Sequence, residues 1–195
     1  MLADFAQTLA GKPPPVQARV RLTHGEVERL ETQVAARSFD LVLCHGVLMY
    51  LADPAQALKA MASALAPGAM LSLLVRNADA LALHHGLRGD WGAALAAFDA
   101  TRYVNRLGIE VRANRLRDLP SDFTRVGLEL RHWYGVVTFT EFAAMDAPVP
   151  APAEFAKIVA CEEQAGRTDP YRGIAALLHL IAYRNDAAAP ATPAA

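Results

Sequence analysis

The sequence has little of several residue types that mark specialised classes of protein. Only two of its 195 residues are cysteines, Cys44 and Cys161, which is too few for a disulfide scaffold and gives no metal-ligand spacing. No apolar run reaches the length of about 18 residues that a membrane-spanning helix needs. Residues 2–12 carry an acid and a glutamine where a secretory signal would be apolar. These absences predict a cytoplasmic protein that does not contact a membrane.

Charge of one sign is also scarce, because 19 basic and 20 acidic residues leave a net charge of -1. Arginine supplies all but three of the 19 basic residues. Residues 102–131 hold seven arginines against four acids, which gives this segment a local positive excess. We interpret the segment as a solvated surface, and an RNA-binding module is the alternative that the excess leaves open.

The overall composition is that of a folded domain. Apolar residues make up 53% of the chain and charged residues 20%, which excludes a disordered chain. We predict one domain over residues 1–185. The remaining segment, DAAAPATPAA over 186–195, has nothing to bury and is predicted to be a disordered tail.

The pattern of apolar residues predicts alternating strands and helices. Continuous apolar runs at 41–44 and 69–75 are typical of strands buried on both faces of a parallel sheet. Asp53-Pro54 predicts the start of a helix between them, so the segment forms a right-handed strand-helix-strand unit. The other predicted helices cover residues 2–10, 26–36, 79–98, 119–127 and 153–165, and the helix over 79–98 has a break near 86–90. The other predicted strands cover residues 16–22, 129–140 and 174–183. A helix is the alternative for 174–183.

Polar residues at the ends of strands are the candidates for a site, because open α/β sheets bind ligands beyond the carboxyl ends of their parallel strands. In the turn THGEV, Glu26 is placed to accept a hydrogen bond from an exocyclic amine while the Val27 amide donates to a ring nitrogen. That pair of bonds reads the edge of adenine, and a helix cap is the alternative for Glu26. Two further strand ends carry polar groups: CHGV at 44–47 and Arg76-Asn77.

The order of these motifs resembles that of a known family. The segment FDLVLCHGVLMYLADPAQALKAMASALAPGAMLSLLV resembles the part of class I S-adenosylmethionine-dependent methyltransferases that follows their cofactor loop, and THGEVERL is similar to their adenine-reading turn. Two later segments, RNADALALHHGLRGDW and DPYRGIAALLHLIAYR, narrow the resemblance to tRNA 5-carboxymethoxyuridine methyltransferases and their relatives. The resemblance implies S-adenosylmethionine as the cofactor and a small molecule or a tRNA nucleoside as the methyl acceptor.

The resemblance also implies which residues form the site. Those on the cofactor side are Gly25, Glu26, Val27 and His45. Those on the acceptor side are Arg76, Asn77, Tyr171 and Arg172. If the acceptor is a carboxylate it needs no general base, only an arginine that orients it. A buried histidine bonded to backbone is the alternative for His45, and a surface arginine is the alternative for Arg172.

The sequence departs from the family pattern near its start. Class I members have a strand with a glycine-rich loop and a second strand that ends in an acid, whereas no G-x-G pattern occurs in this chain. We therefore predict an α/β fold with an incomplete Rossmann-like class I methyltransferase sheet, flanked by helices and lacking the first two strands. The flank of 41–44 is then an open apolar edge through which the chain could self-associate.

Loss of the glycine-rich loop predicts weak cofactor binding, so two functions stay open. The chain is either an active methyltransferase or a catalytically inactive remnant that acts as a binding or partner subunit. Other chemistry is not indicated by the residues. Adjacent His84 and His85 point about 100° apart on a helix, which predicts no metal site. Ser72 lacks the G-x-S-x-G context of a hydrolase nucleophile.

Overall fold

The computed structural model describes residues 2–51, 53–142 and 148–185. Its main element is a four-stranded mixed sheet formed by β1 (Phe39–His45), β2 (Leu65–Arg76), β5 (Leu128–Val136) and β6 (Leu177–Arg184). A separate two-stranded hairpin consists of β3 (Arg102–Val104) and β4 (Glu110–Arg112). The order of the larger sheet is β1-β2-β6-β5. β1 and β2 are parallel, and β6 runs antiparallel to both of its neighbours, β2 and β5.

Helices connect these strands. Those in the described ranges are α1 (Leu2–Ala10), α2 (Pro14–Gln17), α3 (Pro54–Ala64), α4 (Leu81–Gly86), α5 (Trp91–Ala97), α6 (Leu119–Arg125) and α7 (Pro152–Arg167), with 3-10 turns at Val27–Thr32, Leu48–Tyr50, Ala78–Ala80, Thr140–Phe142 and Tyr171–Ile174. None of these helices is long and apolar enough to cross a bilayer. α3 begins as the sequence predicts, since the Asp53 carboxylate accepts hydrogen bonds from the amides of Ala55 and Gln56, both at 3.1 Å.

One face of the sheet carries the hydrophobic core. Strand alternation turns the buried side chains of β2 and β6 toward α3 and α6, where they form a single cluster. Within it, Phe123 of α6 is completely buried. The main strand contributors are Leu71, Leu73 and Val75 of β2 and Leu178, Leu180 and Ala182 of β6.

The opposite face of the sheet is less covered. Leu43 of β1 points to this face and is 62% exposed. Among the described residues no strand pairs with the outer side of β1, so the predicted open apolar edge is present. β1 therefore has hydrogen-bonding neighbours on one side only.

The strand predicted over residues 16–22 is wrong. Pro14–Gln17 form a helical turn instead, and the chain continues without a strand to residue 26. The side chain of Gln17 donates to the carbonyls of Ala10 at 3.2 Å and Lys12 at 2.7 Å, which ties this segment to the end of α1. Alternation alone does not make a strand, because its backbone groups also need a neighbouring strand.

Several other predictions are confirmed with shifted ends. The segments 41–44, 69–75 and 174–183 are strands, and the predicted break between α4 and α5 is present. β5 ends at Val136 rather than at residue 140, because Val137 takes a positive φ of 59° that interrupts the extended chain. The predicted helix over 26–36 is the shorter turn Val27–Thr32, and the β3–β4 hairpin was not predicted. The tail over 186–195 lies outside the described residues.

Candidate active site

An open groove of about 1370 Å³ lies beyond the carboxyl end of β2. Its walls come from α4, α5 and the β3–β4 hairpin, and the Thr140–Phe142 turn contributes one side. The position agrees with the rule that open α/β sheets bind ligands beyond their parallel strands. The polar and aromatic lining includes Tyr50, Arg76, His84, Arg88, Tyr103, Arg106 and Glu141.

Arg76 is the buried charge at the floor of this groove. The residue is 9% exposed, and its Nη1 donates to Glu141 Oε1 at 2.8 Å. The guanidinium carbon also lies 5.2 Å from the centroid of the Tyr103 ring, in cation–π contact. Among the described residues, no acceptor bonds the buried Nε hydrogen of Arg76. The guanidinium is therefore oriented by an acid and a ring, and its buried Nε hydrogen is unpaired among the described residues.

His84 lies beside this ion pair. Its Nδ1 is 3.8 Å from Glu141 Oε1. Burial lowers the pKa of His84, the positive charge of Arg88 lowers it further, and the charge of Glu141 opposes both. His84 is therefore predominantly neutral at pH 7, so Arg76 and Glu141 provide the charges of the groove floor.

Glu162 of α7 holds the chain that leads to Glu141. Its carboxylate accepts hydrogen bonds from the amides of Thr138 at 2.8 Å, Phe139 at 2.9 Å and Thr140 at 2.8 Å, and from the Thr140 hydroxyl at 2.8 Å. Burial favours a higher pKa for Glu162, but these four donors outweigh it and lower the pKa. The ionised carboxylate thus fixes the turn after β5.

A row of polar side chains crosses the less covered face of the sheet. His45 Nε2 lies 2.9 Å from Ser72 Oγ, which lies 2.7 Å from His179 Nε2. The two imidazole rings meet edge to face at 5.5 Å between centroids. A hydroxyl has one hydrogen, so Ser72 can donate to one ring while it accepts from the Nε2 hydrogen of the other.

Comparison with known proteins finds a family match for the first part of the chain. Residues 1–71 match the family described as a methyltransferase domain. The tRNA 5-carboxymethoxyuridine methyltransferase of Escherichia coli K12 is 42% identical over 62 residues, which are 32% of this chain and 22% of that enzyme. The match therefore spans about a fifth of the curated relative's length.

Solved structures share the fold over most of the chain. An S-adenosylmethionine-dependent methyltransferase from Mesorhizobium loti superposes with a TM-score of 0.54 at 15% identity, over 92% of this chain and 75% of that one. A protein solved as a proposed methyltransferase of the same kind from Listeria monocytogenes gives a TM-score of 0.56 at 15% identity, over 93% and 75%. The match to the methyltransferase-domain family thus covers residues 1–71, and the solved structures show that the fold is shared. The descriptions of both solved proteins name S-adenosylmethionine as the cofactor on which they depend.

The structure places the residues predicted to contact adenine on the turn that packs against α3. Glu26 is exposed and lies 3.6 Å from Arg29, whereas Val27 packs against the hydrophobic core. Gly25 faces the side chain of Gln33, whose Nε2 would lie 1.7 Å from a Cβ at position 25. Contact of these residues with adenine stays a prediction.

His45 is exposed, and within the described ranges its side chain bonds no backbone group, so the structure departs from the alternative that the sequence left open. It ends β1, it is exposed, and it bonds a side-chain hydroxyl. The next residue, Gly46, has a positive φ of 67°, and among the described residues no atom lies within 4 Å of where its Cβ would be. The carboxyl end of β1 is thus open to a ligand.

Asn77 has a structural role next to the groove. The residue is 1% exposed, and its Nδ2 donates to the carbonyls of Gly173 and Ala175, both at 2.9 Å. Its Oδ1 accepts from the amide of Asp79 at 3.0 Å. Asn77 therefore connects the Tyr171–Ile174 turn to the end of β2, and its side-chain amide is engaged in these structural hydrogen bonds.

Tyr171 and Arg172 do not belong to the lining of the groove described above. Arg172 donates twice to the carboxylate of Asp169, at 2.7 Å each, and its guanidinium carbon lies 4.1 Å from the centroid of Trp133. The Tyr171 ring packs 6.0 Å from that of Phe139. Of the four predicted acceptor residues, the structure places Arg76 alone in the groove.

Several residues of the groove and the polar row were not predicted. Glu141 follows the end of β5, so inspecting that strand end as well would have singled it out. His179 lies on the same face of β6 as Ile181 and Tyr183. The sequence did not indicate it as a site residue, because its neighbours along the chain are apolar. Tyr103 and Arg106 come from the hairpin, which lacks a strong sequence pattern.

Most arginines of the segment 102–131 form ion pairs with acidic residues. These ion pairs are Arg102–Glu110 at 2.9 Å, Arg117–Asp118 at 3.9 Å, Arg125–Asp122 at 2.7 Å, Arg131–Glu129 at 3.5 Å and Arg115–Asp79. Alternating charge of this kind is typical of a solvated surface. The pattern favours that interpretation over a continuous RNA-binding stripe.

Proposed function

We propose that this chain transfers a methyl group from S-adenosylmethionine to a small-molecule or tRNA-nucleoside acceptor, and that the group methylated is a carboxylate. The observation that carries the proposal is the buried Arg76 guanidinium at the floor of a groove beyond the carboxyl end of β2. Arginine presents a planar set of donors that matches a carboxylate.

The residues of the chain have mainly a positioning task. S-adenosylmethionine, when bound, supplies the electrophilic methyl group. An acceptor carboxylate is already ionised near neutral pH, so the groove needs no general base. Arg76 orients the acceptor oxygen, and the Tyr103 ring and the Glu141 carboxylate hold the guanidinium in place before the acceptor binds. Correct alignment of this kind is a large part of catalysis in displacement reactions.

The exposed end of β1 supports the cofactor side of the proposal. His45 has a free ring edge there, and the open space beside Gly46 lets a ligand approach the backbone closely. Glu26 keeps an exposed carboxylate for an exocyclic amine. The likeness to the E. coli enzyme over 62 residues supports tRNA as the acceptor class, and Arg88 and Arg106 add positive charge to the groove.

Calorimetry and a methyl-transfer assay test the two halves separately. We expect the wild-type chain to bind S-adenosylmethionine, more weakly than an enzyme that has the glycine-rich loop. R76M should bind it equally well but lose transfer of the methyl group to tRNA. R172M is the matched control, because that arginine lies outside the groove lining and should keep transfer activity. Absence of cofactor binding by the wild-type chain would contradict the proposal.

A second candidate is a binding or partner subunit without catalytic activity. The exposed edge of β1 favours it, since Leu43 is 62% exposed and a free edge can pair with another strand, including that of a second copy. Sedimentation of the wild-type chain and of L43K distinguishes this candidate. Concentration-dependent association that L43K removes, in a chain that does not bind S-adenosylmethionine, would favour the subunit over the enzyme.

A further inference from the structure

The acid in the groove occupies the place that an acidic ligand would need. Glu141 Oε1 lies 2.8 Å from Arg76 Nη1, and the side chains of the pair are 15% and 11% exposed. An ion pair this well covered keeps much of its Coulomb attraction, because little water screens it. Glu141 therefore cancels most of the charge by which Arg76 would attract an anion.

The same guanidinium is nevertheless not fully used. Its Nε hydrogen is buried and, among the described residues, has no acceptor. Burying a donor without a partner costs free energy that a ligand oxygen would recover. An anion that approached this edge would, however, come close to the carboxylate of Glu141, and the two negative charges would repel one another.

The contacts around Glu141 hold its backbone. Glu162 fixes the preceding residues through the amides of Thr138, Phe139 and Thr140. The Arg106 guanidinium donates to the carbonyl oxygen of Glu141 at 3.1 Å. The side chain can therefore leave Arg76 by rotation about its own bonds while the turn stays in place.

We propose that Glu141 is a resident carboxylate that competes with acidic ligands for Arg76, and that it thereby sets the affinity of the groove for anions. The inference rests on the proposed function only in taking the groove as the acceptor site. A carboxylate ligand displaces the Glu141 side chain, exchanging one ion pair with Arg76 for another. Glu141 thus excludes small anions that make no further contact in the groove, because nothing then compensates for the loss of its ion pair with Arg76.

Benzoate is the probe, and its dissociation constant is measured by ligand-observed NMR. We expect E141Q to bind benzoate at least about tenfold more tightly than the wild-type chain, since the competing charge is gone. The matched control is E154Q, which removes a carboxylate from Lys157 in an exposed pair outside the groove lining and should leave the affinity unchanged. In R76M/E141Q the gain should disappear.

E141D keeps the test decisive if E141Q fails to fold. The shorter side chain retains its charge but withdraws the carboxylate from Arg76, so we expect a smaller gain in benzoate affinity. No gain in any folded variant would overturn the proposal. An equal gain in E154Q would also overturn it, because the effect would then be that of net charge alone.

Methyl transfer to tRNA, measured on the same proteins, distinguishes this proposal from the function on which it rests. If E141Q gains benzoate affinity while no variant binds S-adenosylmethionine or transfers a methyl group, the competition stands and the proposed enzyme fails. If the wild-type chain and E141Q transfer methyl groups with the same acceptor KM and the same benzoate affinity, the enzyme stands and the competition fails.

Discussion

Glu162 shows how one residue positions a groove that it does not line. Its carboxylate receives four hydrogen bonds from Thr138, Phe139 and Thr140, directly after the residue with positive φ, Val137. A β-branched residue in that conformation is strained, so the following chain needs to be held. The clamp places Glu141 against Arg76, which connects α7 to the chemistry of the groove.

Replacing this clamp should destabilise the protein measurably. We expect E162Q to lower the free energy of unfolding in urea by about 2 kcal/mol, because an amide cannot accept all the bonds that the carboxylate accepts. E163Q is the matched control, since Glu163 forms an exposed pair with Arg167 at 2.7 Å and should cost less than about 0.5 kcal/mol. Equal losses in the two variants would contradict the clamp.

The effect of E162Q should also depend on pH. Folding lowers the pKa of Glu162, so the ionised carboxylate stabilises the folded state. This contribution to the free energy of unfolding is fully present above the ordinary carboxyl pKa of about 4.3. Below that value the stabilisation is lost progressively as pH falls through the lower folded pKa. The difference between wild type and E162Q should therefore be large at about pH 7 and should shrink progressively as the pH falls below about 4.3.

His179 gives a pH dependence in the neutral range. Burial, and then the charge of His45, lower the pKa of His179 below its ordinary value. Between about pH 7.5 and 5.5 the unfolded chain therefore binds more protons than the folded one, and stability falls as pH falls.

Substitution of this histidine should reduce that loss. We expect H179Q to lose less unfolding free energy than the wild-type chain over this pH range, measured by urea denaturation. H24Q, which replaces an exposed histidine outside the polar row, is the control and should show the wild-type dependence. An H179Q slope equal to that of the wild type would contradict the assignment.

At the scale of elements, two glycines set the distance between α7 and β5. A Cβ on Gly166 would lie 2.5 Å from the carbonyl oxygen of Gly135, and a Cβ on Gly135 would lie 2.6 Å from the backbone of Arg172. Neither contact can relax by turning a side chain, because the atoms met belong to backbone. The close approach is what brings Glu162 within reach of the turn after β5.

An alanine at this crossing should push the helix away. We expect G166A to destabilise the protein by about 2 kcal/mol and to weaken the Glu162 clamp, because overpacking forces the backbone to shift. G92A in α5 is the matched helical control, since nothing described lies within 4 Å of its Cβ. It should stabilise by up to about 1 kcal/mol through helix propensity. Thermal unfolding of both variants checks the difference in sign.

At the scale of the whole molecule, the sheet has one covered face and one open one. The residues of β1 and β2 show the contrast directly, since Leu73 is completely buried while Leu43 is 62% exposed. Free energy from apolar burial therefore comes mainly from the face packed against α3 and α6.

Two leucine truncations measure this asymmetry. We expect L73A to cost about 3 kcal/mol of unfolding free energy, because it leaves a cavity in the core. L43A should cost less than about 1 kcal/mol, because that side chain gains little from folding. Chemical denaturation of both variants checks the prediction, and a large loss in L43A would show that something covers the open face in solution.

Local signals in the sequence account for most of the fold that positions the site. Apolar runs long enough for strands predicted β1 and β2, and the Asp53-Pro54 cap predicted α3 between them. The wrong strand over 16–22 and the missed β3–β4 hairpin show where such signals fail. Pairing partners decide whether a weakly patterned segment becomes a strand, and they lie elsewhere in the chain.

The sequence by itself determined the family resemblance, the central strand-helix-strand unit and Arg76 as the charge beyond the end of β2. Only the tertiary structure brought Glu141, 65 residues further along, onto Arg76, and placed Ser72 between His45 and His179, 27 and 107 residues from it. The physical reason is that such contacts depend on the order in which strands pair. Local propensity is read from neighbouring residues, whereas the insertion of β6 between β2 and β5 is decided by burial across the whole sheet.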